Sequence, residues 1–461
     1  RICVSRIHKM FSRSRAVQSV MTTSEIVSKY TYGTWRPQKG WKPLTVTKAK
    51  DCTFWDDKGT PYLDLSGQLM CSNLGHQNEA VVEAICKQAR ELCFVAPGFA
   101  TQVRADLAIK IKEVVPQGID KFFFATSGTE ANECAIKMAR MMTGKQKIIA
   151  RYNGYHGSTA ASVACTGDFR RWLAEGSHSA LSGVIHIPEC NPYRPAPFHS
   201  AAESVKYLEY VLQNEGNVAA VILEPVVGTN GVLIPPSEYL PAVRRLTEKH
   251  GVLLIADEVM SGWGRTGEWF AIQNWGVTPD ILVTAKGITS GMAPLGVVGT
   301  TRRVADFFED GWFAHGHTYE SHALTLAPAI AAINEYQRLG LVERSKVMGE
   351  KLGDKLKGLK DRHPSVGDVR GMGMFWAVEL VKNRETKEPF ATFKDKVSRK
   401  PLLMDQLSAA MMSQGVYVIG WMSHFVIAPP LIITEEEMDK AIAAFDVTLK
   451  IADDLVAAVN Q

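Results

Sequence analysis

The chain has 461 residues, enough to bury a large core and to hold more than one domain. It is 46% hydrophobic and 22% charged, as soluble globular proteins are, and no apolar run is long enough to cross a bilayer. A formal charge of +4 is small for this length and gives no case for nucleic-acid binding.

The first 24 residues carry Arg1, Arg6, Lys9, Arg13 and Arg15, several serines, and no acid before Glu25. That bias matches a mitochondrial transit peptide, with a basic tail as the alternative. The expected location is therefore the mitochondrial matrix, and otherwise the cytoplasm. The eight cysteines stand singly, without a C-x-x-C pair, so they read as free thiols and suggest no metal site.

Residues 25–75 form an N-terminal segment of short β-like pieces, Lys48–Trp55 and Tyr62–Leu65, around the turn Asp56-Asp57-Lys58-Gly59. It is expected to join the smaller domain. Over 76–325 helices and apolar strands alternate. The helices fall at Glu79–Leu92, Arg104–Val115 and Glu130–Met142. The strands fall at Lys121–Ala125, Lys147–Ala150, Val218–Leu223, Val252–Ala256, Ile281–Thr284 and Gly296–Thr300. This predicts a large α/β domain whose mostly parallel sheet is covered by helices. Residues 326–461 read as a smaller α+β domain, with helices at Ala327–Leu339 and Val342–Leu359 and strands at Gly373–Val381 and Val416–Ile419. A final helix, Glu435–Val459, is capped by Thr434 and Glu437, and Pro429-Pro430 marks a loop.

Four places on this scaffold suit chemistry. Phe122 to Asn132 passes from a strand through Ser127-Gly128-Thr129 into a helix, whose free N–H groups attract a phosphate; ordinary capping by Ser127 or Thr129 is the alternative. Tyr155, on a Gly-flanked loop beside His156, can stack on a planar ring; His156 itself is given no chemistry. Glu224 and Asp257 end apolar strands, where ligands of open α/β sheets bind. Lys286 follows another such strand, so loss of water lowers its pKa and suits it to a Schiff base. A buried Asp257 would keep a pyridinium protonated, and Val259 can face Tyr155 across that ring.

Asp257-Glu-Val-Met-Ser-Gly-Trp-Gly-Arg-Thr-Gly267 and the run through Lys286 resemble the class III (subgroup II) pyridoxal-phosphate aminotransferases, in the ω-transaminase and taurine–pyruvate-like branch. The resemblance covers roughly residues 30–455 and implies fold type I. It implies pyridoxal 5′-phosphate held by Gly128, Thr129, Tyr155, Asp257, Val259 and Lys286, with Lys286 and Asp257 catalytic, and Glu224 joins this cofactor set from its place at a strand end. Thr318, in Gly316-His317-Thr318-Tyr319, would reach the phosphate of a second subunit, which implies a homodimer with shared sites.

The chain also departs from that pattern. Met70, in Gln68-Leu69-Met70, stands where many relatives carry tryptophan, and Gly420 before Trp421 where a sister group has arginine. Trp35, Met70 and Trp421 become the candidate substrate residues. Either His424 replaces the arginine or the donor lacks a nearby carboxylate, and an ordinary structural role for His424 stays open. The implied reaction is ping-pong transfer of an amino group from an amine, β- or ω-amino acid or taurine-like donor to a keto acid such as pyruvate. A racemase, aminomutase or phospho-lyase on the same fold is the alternative.

Overall fold

A computed structural model describes residues 21–175 and 183–459. Residues 1–20, most of the expected leader, lie outside the described residues. The chain divides into two compact units, one of residues up to Ala49 with Phe54–Pro61, the other of Lys50–Thr53 with everything from Tyr62 onward.

In the smaller unit the helix Thr23–Tyr30 starts at a reciprocal cap. Glu25 N donates to Thr22 Oγ1 at 3.3 Å, and Thr22 N donates to Glu25 Oε2 at 2.7 Å. Ser28 Oγ fixes the following chain by donating to Trp41 O at 2.7 Å. Trp35 belongs to this unit and has a left-handed backbone, φ 53°.

The larger unit is built on a seven-stranded sheet. Its strands are β1 (Ile119–Ala125), β2 (Lys147–Arg151), β3 (Val184–Ile187), β4 (Val218–Leu223), β5 (Leu253–Asp257), β6 (Ile281–Thr284) and β7 (Gly296–Thr301), in the order β1-β7-β6-β5-β4-β2-β3. Strands β2 to β6 pair in parallel, and β7 runs antiparallel to both β6 and β1. Every residue of β4, β5 and β6 is buried, which is why these segments read as unbroken apolar runs rather than as alternation. The helix α1 (Gly128–Thr143) packs on β7, β6 and β4. The short helices α2 (Ala160–Cys165) and α3 (Phe169–Ala174) follow β2. The mostly parallel, helix-covered sheet of fold type I is thus present.

The C-terminal part holds an antiparallel sheet, β8 (Val366–Met372), β9 (Phe375–Asn383), β10 (Ile419–Trp421) and β11 (His424–Ile427), in the order β8-β9-β11-β10. The expected single strand Val416–Ile419 is split. Val416 and Tyr417 pair in parallel with Leu63 and Asp64, whereas Ile419 begins β10 in the other sheet. The final helix is also split, into Glu435–Thr448 and Lys450–Val459. Ala452 N and Asp453 N both donate to Leu449 O, at 2.9 and 3.0 Å, so the turn tightens there while Leu449 and Ala452 stay buried. The apolar period survives such a break, so the sequence alone does not show it. Among the described residues no helix is long and apolar enough to cross a membrane.

Candidate active site

Three neighbouring strands end at the same edge of the sheet and deliver the three charged candidates. Glu224 follows β4, Asp257 closes β5, and Lys286 lies two residues beyond β6. Next to them β1 leads into the N-terminus of α1, where Ser127 Oγ accepts from Glu130 N at 3.3 Å and the N–H groups of Gly128 and Thr129 have no acceptor among the described residues. A cavity of about 530 Å³ opens here, lined by Gly128, Thr129, Tyr155, Glu224, Asp257, Val259 and Lys286 together.

The anion end is built of small groups. Thr129 Oγ1 accepts from Ser158 N at 3.0 Å and Thr159 N at 3.2 Å, and lies 2.8 Å from the hydroxyls of both Thr159 and Ser162. A Cβ on Gly128 would stand 2.9 Å from both γ-carbons of Val259. At Gly157, where φ is 139°, a Cβ would come within 2.3 Å of Thr129 Oγ1. Glycine is required at both positions for the loop and helix to close on the cavity.

At the opposite pole Asp257 is 3% exposed and held by three donors. Asn132 Nδ2 and His156 Nδ1 both lie 2.8 Å from Oδ2, and Val259 N donates to Oδ1 at 3.1 Å. Glu224 joins two walls, because Tyr155 N donates to Oε1 and Gly228 N to Oε2, each at 2.9 Å. Burial pushes its carboxyl up to about 7, and the neighbouring Asp257 adds to the shift. Burial lowers the pKa of Lys286, and the positive charge of Arg170 acts in the same direction.

The candidate substrate residues are placed less uniformly. Met70 is buried in an apolar cluster with Val226, Val232 and Met260, and of these Met260 lines the cavity. Trp421 donates from Nε1 to Asn230 Oδ1 at 2.9 Å, and its ring centre is 4.9 Å from the Arg170 guanidinium. His424 is buried with Nε2 3.0 Å from Thr229 O, and burial pushes its pKa down to about 4. A neutral, already occupied imidazole is a poor carboxylate anchor, which favours the structural reading. Thr318 is exposed on a turn and does not line the cavity of its own chain.

Sequence reasoning missed Arg170. Its guanidinium carbon lies 3.7 Å from the centre of the Tyr155 ring, and its side chain is 6% exposed. Nε contacts both oxygens of Asp168 at 3.1 and 3.0 Å, and Nη2 also pairs with Asp168. Among the described residues Nη1 has no acceptor. The letters Asp168-Phe169-Arg170-Arg171 carry no periodic or spacing signal, so only the fold reveals that this arginine packs on Tyr155, a residue of the cavity wall.

An amine, a carboxylate held by three donors and an anion-binding helix end, arranged around one cavity, suit the aldehyde, ring nitrogen and phosphate of pyridoxal phosphate. The family model "Aminotransferase class-III" matches residues 36–449. The chain belongs to the class-III aminotransferase family. Putrescine–pyruvate aminotransferase of Pseudomonas aeruginosa is 35% identical over 438 residues, covering 90% of this chain and 91% of its own. Taurine–pyruvate aminotransferase of Bilophila wadsworthia is 33% identical over 445 residues, covering 91% and 94%. A taurine:2-oxoglutarate aminotransferase from Bifidobacterium kashiwanohense, solved with PLP and glutamate, superposes with a TM-score of 0.89 at 38% identity. That match covers 94% of this chain and 97% of the other. As a class-III aminotransferase the chain uses pyridoxal 5′-phosphate to move an amino group between an amino donor and a keto acid.

Proposed function

We propose that the preferred donor is an amine whose far end carries a carboxylate or sulfonate, and that Arg170 receives that acidic group. The observation that carries this reading is the Arg170 guanidinium. It is packed on Tyr155, its positive charge reaches Lys286, and one Nη is without an acceptor among the described residues. A guanidinium with a free N–H edge is the strongest carboxylate or sulfonate partner a protein offers. It lies on a different element from the arginine expected near Gly420. Trp421 and Asp168 hold it in place, so little side-chain entropy is lost on binding.

The protein groups divide the work by position. Bound pyridoxal phosphate supplies an aldehyde for imine exchange and a ring that withdraws electrons. Gly128 and Thr129 would orient the phosphate. Asp257 would hold the ring nitrogen, and Tyr155 and Val259 would bound the ring. Lys286 Nζ, whose pKa burial lowers, takes a proton from the amine-bearing carbon of the donor and later returns one.

The same reading makes the enzyme a homodimer in which Thr318 completes the phosphate site of the other subunit. Exposure of Thr318 on a turn outside its own cavity supports this. The donor proposal is tested with Arg170→Met. For a sulfonate or ω-carboxylate amine, KM should rise about tenfold or more, the value of one charge-assisted hydrogen bond, with a smaller change in kcat. A simple diamine should respond little. Wild-type turnover of diamines but not of acidic amines would refute the proposal.

A further inference from the structure

We infer that Asn230 is a positioning residue for the acidic end of the donor: its side-chain amide holds Asp168 on one edge of the Arg170 guanidinium and so keeps the other edge open. The inference rests on the donor reading given to Arg170 and names the group that makes this arginine available.

Asn230 is buried at the tip of the loop that follows β4. Val227 and Leu233 exchange backbone hydrogen bonds of 3.0 and 3.1 Å across the base of that loop. The C-terminal sheet pins the backbone on both sides of the tip. His424 Nε2, from β11, lies 3.0 Å from Thr229 O, and Arg370 of β8 donates from Nε to Gly231 O at 2.7 Å. Arg370 is itself held by Asp368 and Glu379, at 2.8 and 2.7 Å. The amide on this fixed backbone has three partners. Nδ2 donates to Asn153 O at 2.7 Å and to Asp168 Oδ2 at 2.9 Å, and Oδ1 accepts from Trp421 Nε1 at 2.9 Å. An indole only donates and a carboxylate only accepts, so the flipped amide would lose these bonds.

The consequence reaches Arg170 through Asp168. Asp168 heads α3, where its Oδ1 accepts from Arg170 N at 2.9 Å, while Oδ2 accepts from Asn230. With each oxygen tied to a different group the carboxylate cannot rotate, and it stays on the Nε and Nη2 side of the guanidinium. Nη1 is the nitrogen left over for an incoming carboxylate or sulfonate. Without the amide, Asp168 would be free to turn and compete for Nη1. The same amide also fixes Trp421, whose ring centre lies 4.9 Å from the guanidinium carbon. One side chain thus sets both the ion partner of Arg170 and a surface it packs on.

Two variants separate this role from simple packing. Asn230→Leu keeps the bulk and removes all three hydrogen bonds, whereas Asn230→Asp keeps the acceptor for Trp421 and removes the donors. Each is made alone and together with Arg170→Met. KM and kcat are measured on the holoenzyme with taurine or β-alanine, whichever the wild type turns over faster. Either Asn230 variant should raise KM about tenfold, as loss of a hydrogen bond to a charged group does, with a smaller change in kcat. Added to Arg170→Met, it should raise KM no further, because the amide acts through that arginine. A fall in kcat as large as the rise in KM, or an effect that adds in full to that of Arg170→Met, overturns the inference. If Asn230→Leu fails to fold, Asn230→Asp gives the same comparison. An unaltered KM in Arg170→Met overturns the donor reading itself. A raised KM in Arg170→Met with none in the Asn230 variants overturns only the role of Asn230.

Discussion

Lys286, two residues beyond β6, holds a left-handed backbone, φ 50°. That conformation is uncommon for a side chain with a Cβ and collects at functional sites. The letters Ala285-Lys286-Gly287 suggest glycine as the residue that turns, but the structure assigns the two tasks otherwise. A Cβ on Gly287 would stand 2.7 Å from Asn73 Nδ2 and 2.8 Å from Trp263 Cβ, so this glycine serves close packing and the lysine carries the turn. The amine was legible from an apolar run that ends in lysine; its strained backbone depends on Asn73 and Trp263, far away in sequence. Glu224 gives a measurable consequence at the same scale. Burial lifts its carboxyl from the ordinary 4.5 to about 7. A carboxyl raised in the folded state stabilises that state while protonated. Its contribution is thus full below about 4.5 and is lost as pH rises through about 7. Glu224→Gln, which cannot ionise, should gain on the wild type across that window, by about 3 kcal/mol at most. Denaturant unfolding of both proteins from acidic to neutral pH measures the gap, and a gap independent of pH would contradict the assigned burial effect. Glu258, raised to about the same value by burial, is present in both proteins and cancels.

Among the elements, the strands carried their meaning openly and the short helices did not. Strands β4, β5 and β6 lie side by side, and each apolar run stops at a charged residue, so Glu224, Asp257 and Lys286 could be placed on one edge from pattern alone. Helix α3 is 6 residues long, too short for a 3.6-residue period to register, and Arg170 was lost with it. Strand β3 was missed for a similar reason: 4 residues with a histidine inside do not stand out. The start of α1 was legible as a strand-to-helix turn of small residues, yet the reason for Gly128 lies across the cavity in Val259. Val259 is β-branched and stiff at χ1, so it cannot swing aside from a methyl group 2.9 Å away. Overpacking against a stiff neighbour costs about 1–3 kcal/mol, so Gly128→Ala should lower the melting temperature slightly. Its cofactor affinity should also fall, about tenfold, because helix end and ring wall are forced apart. Titration with pyridoxal phosphate alongside a melting curve tests both halves. Unchanged affinity would show that the wall yields.

For the whole molecule, the proposed dimer is the feature that letters within one chain indicated least, since it came from the resemblance of Gly316-His317-Thr318-Tyr319 and from no local pattern. The surface around that segment is costly for a lone chain. Trp312 is 90% exposed and Tyr319 59%. Among the described residues His315 Nδ1 and Nε2, His317 Nε2, Ser321 Oγ and His322 Nδ1 are buried without hydrogen-bond partners. Apolar rings in water and unsatisfied buried polar atoms are both relieved when a second chain covers them. Shared sites make a prediction that an ordinary dimer does not. Lys286→Ala removes the amine and Thr318→Ala weakens phosphate binding, so each variant alone should be impaired when cofactor is limiting. If Thr318 serves the opposite subunit, a mixed dimer has one site with both defects and one site with neither. Refolding the two variants together at equal amounts should then restore about a quarter of the wild-type sites, since half the dimers are mixed and one of their two sites is intact. If Thr318 serves its own subunit, every site in the mixed dimer keeps a defect, and mixing restores nothing beyond the average of the two variants.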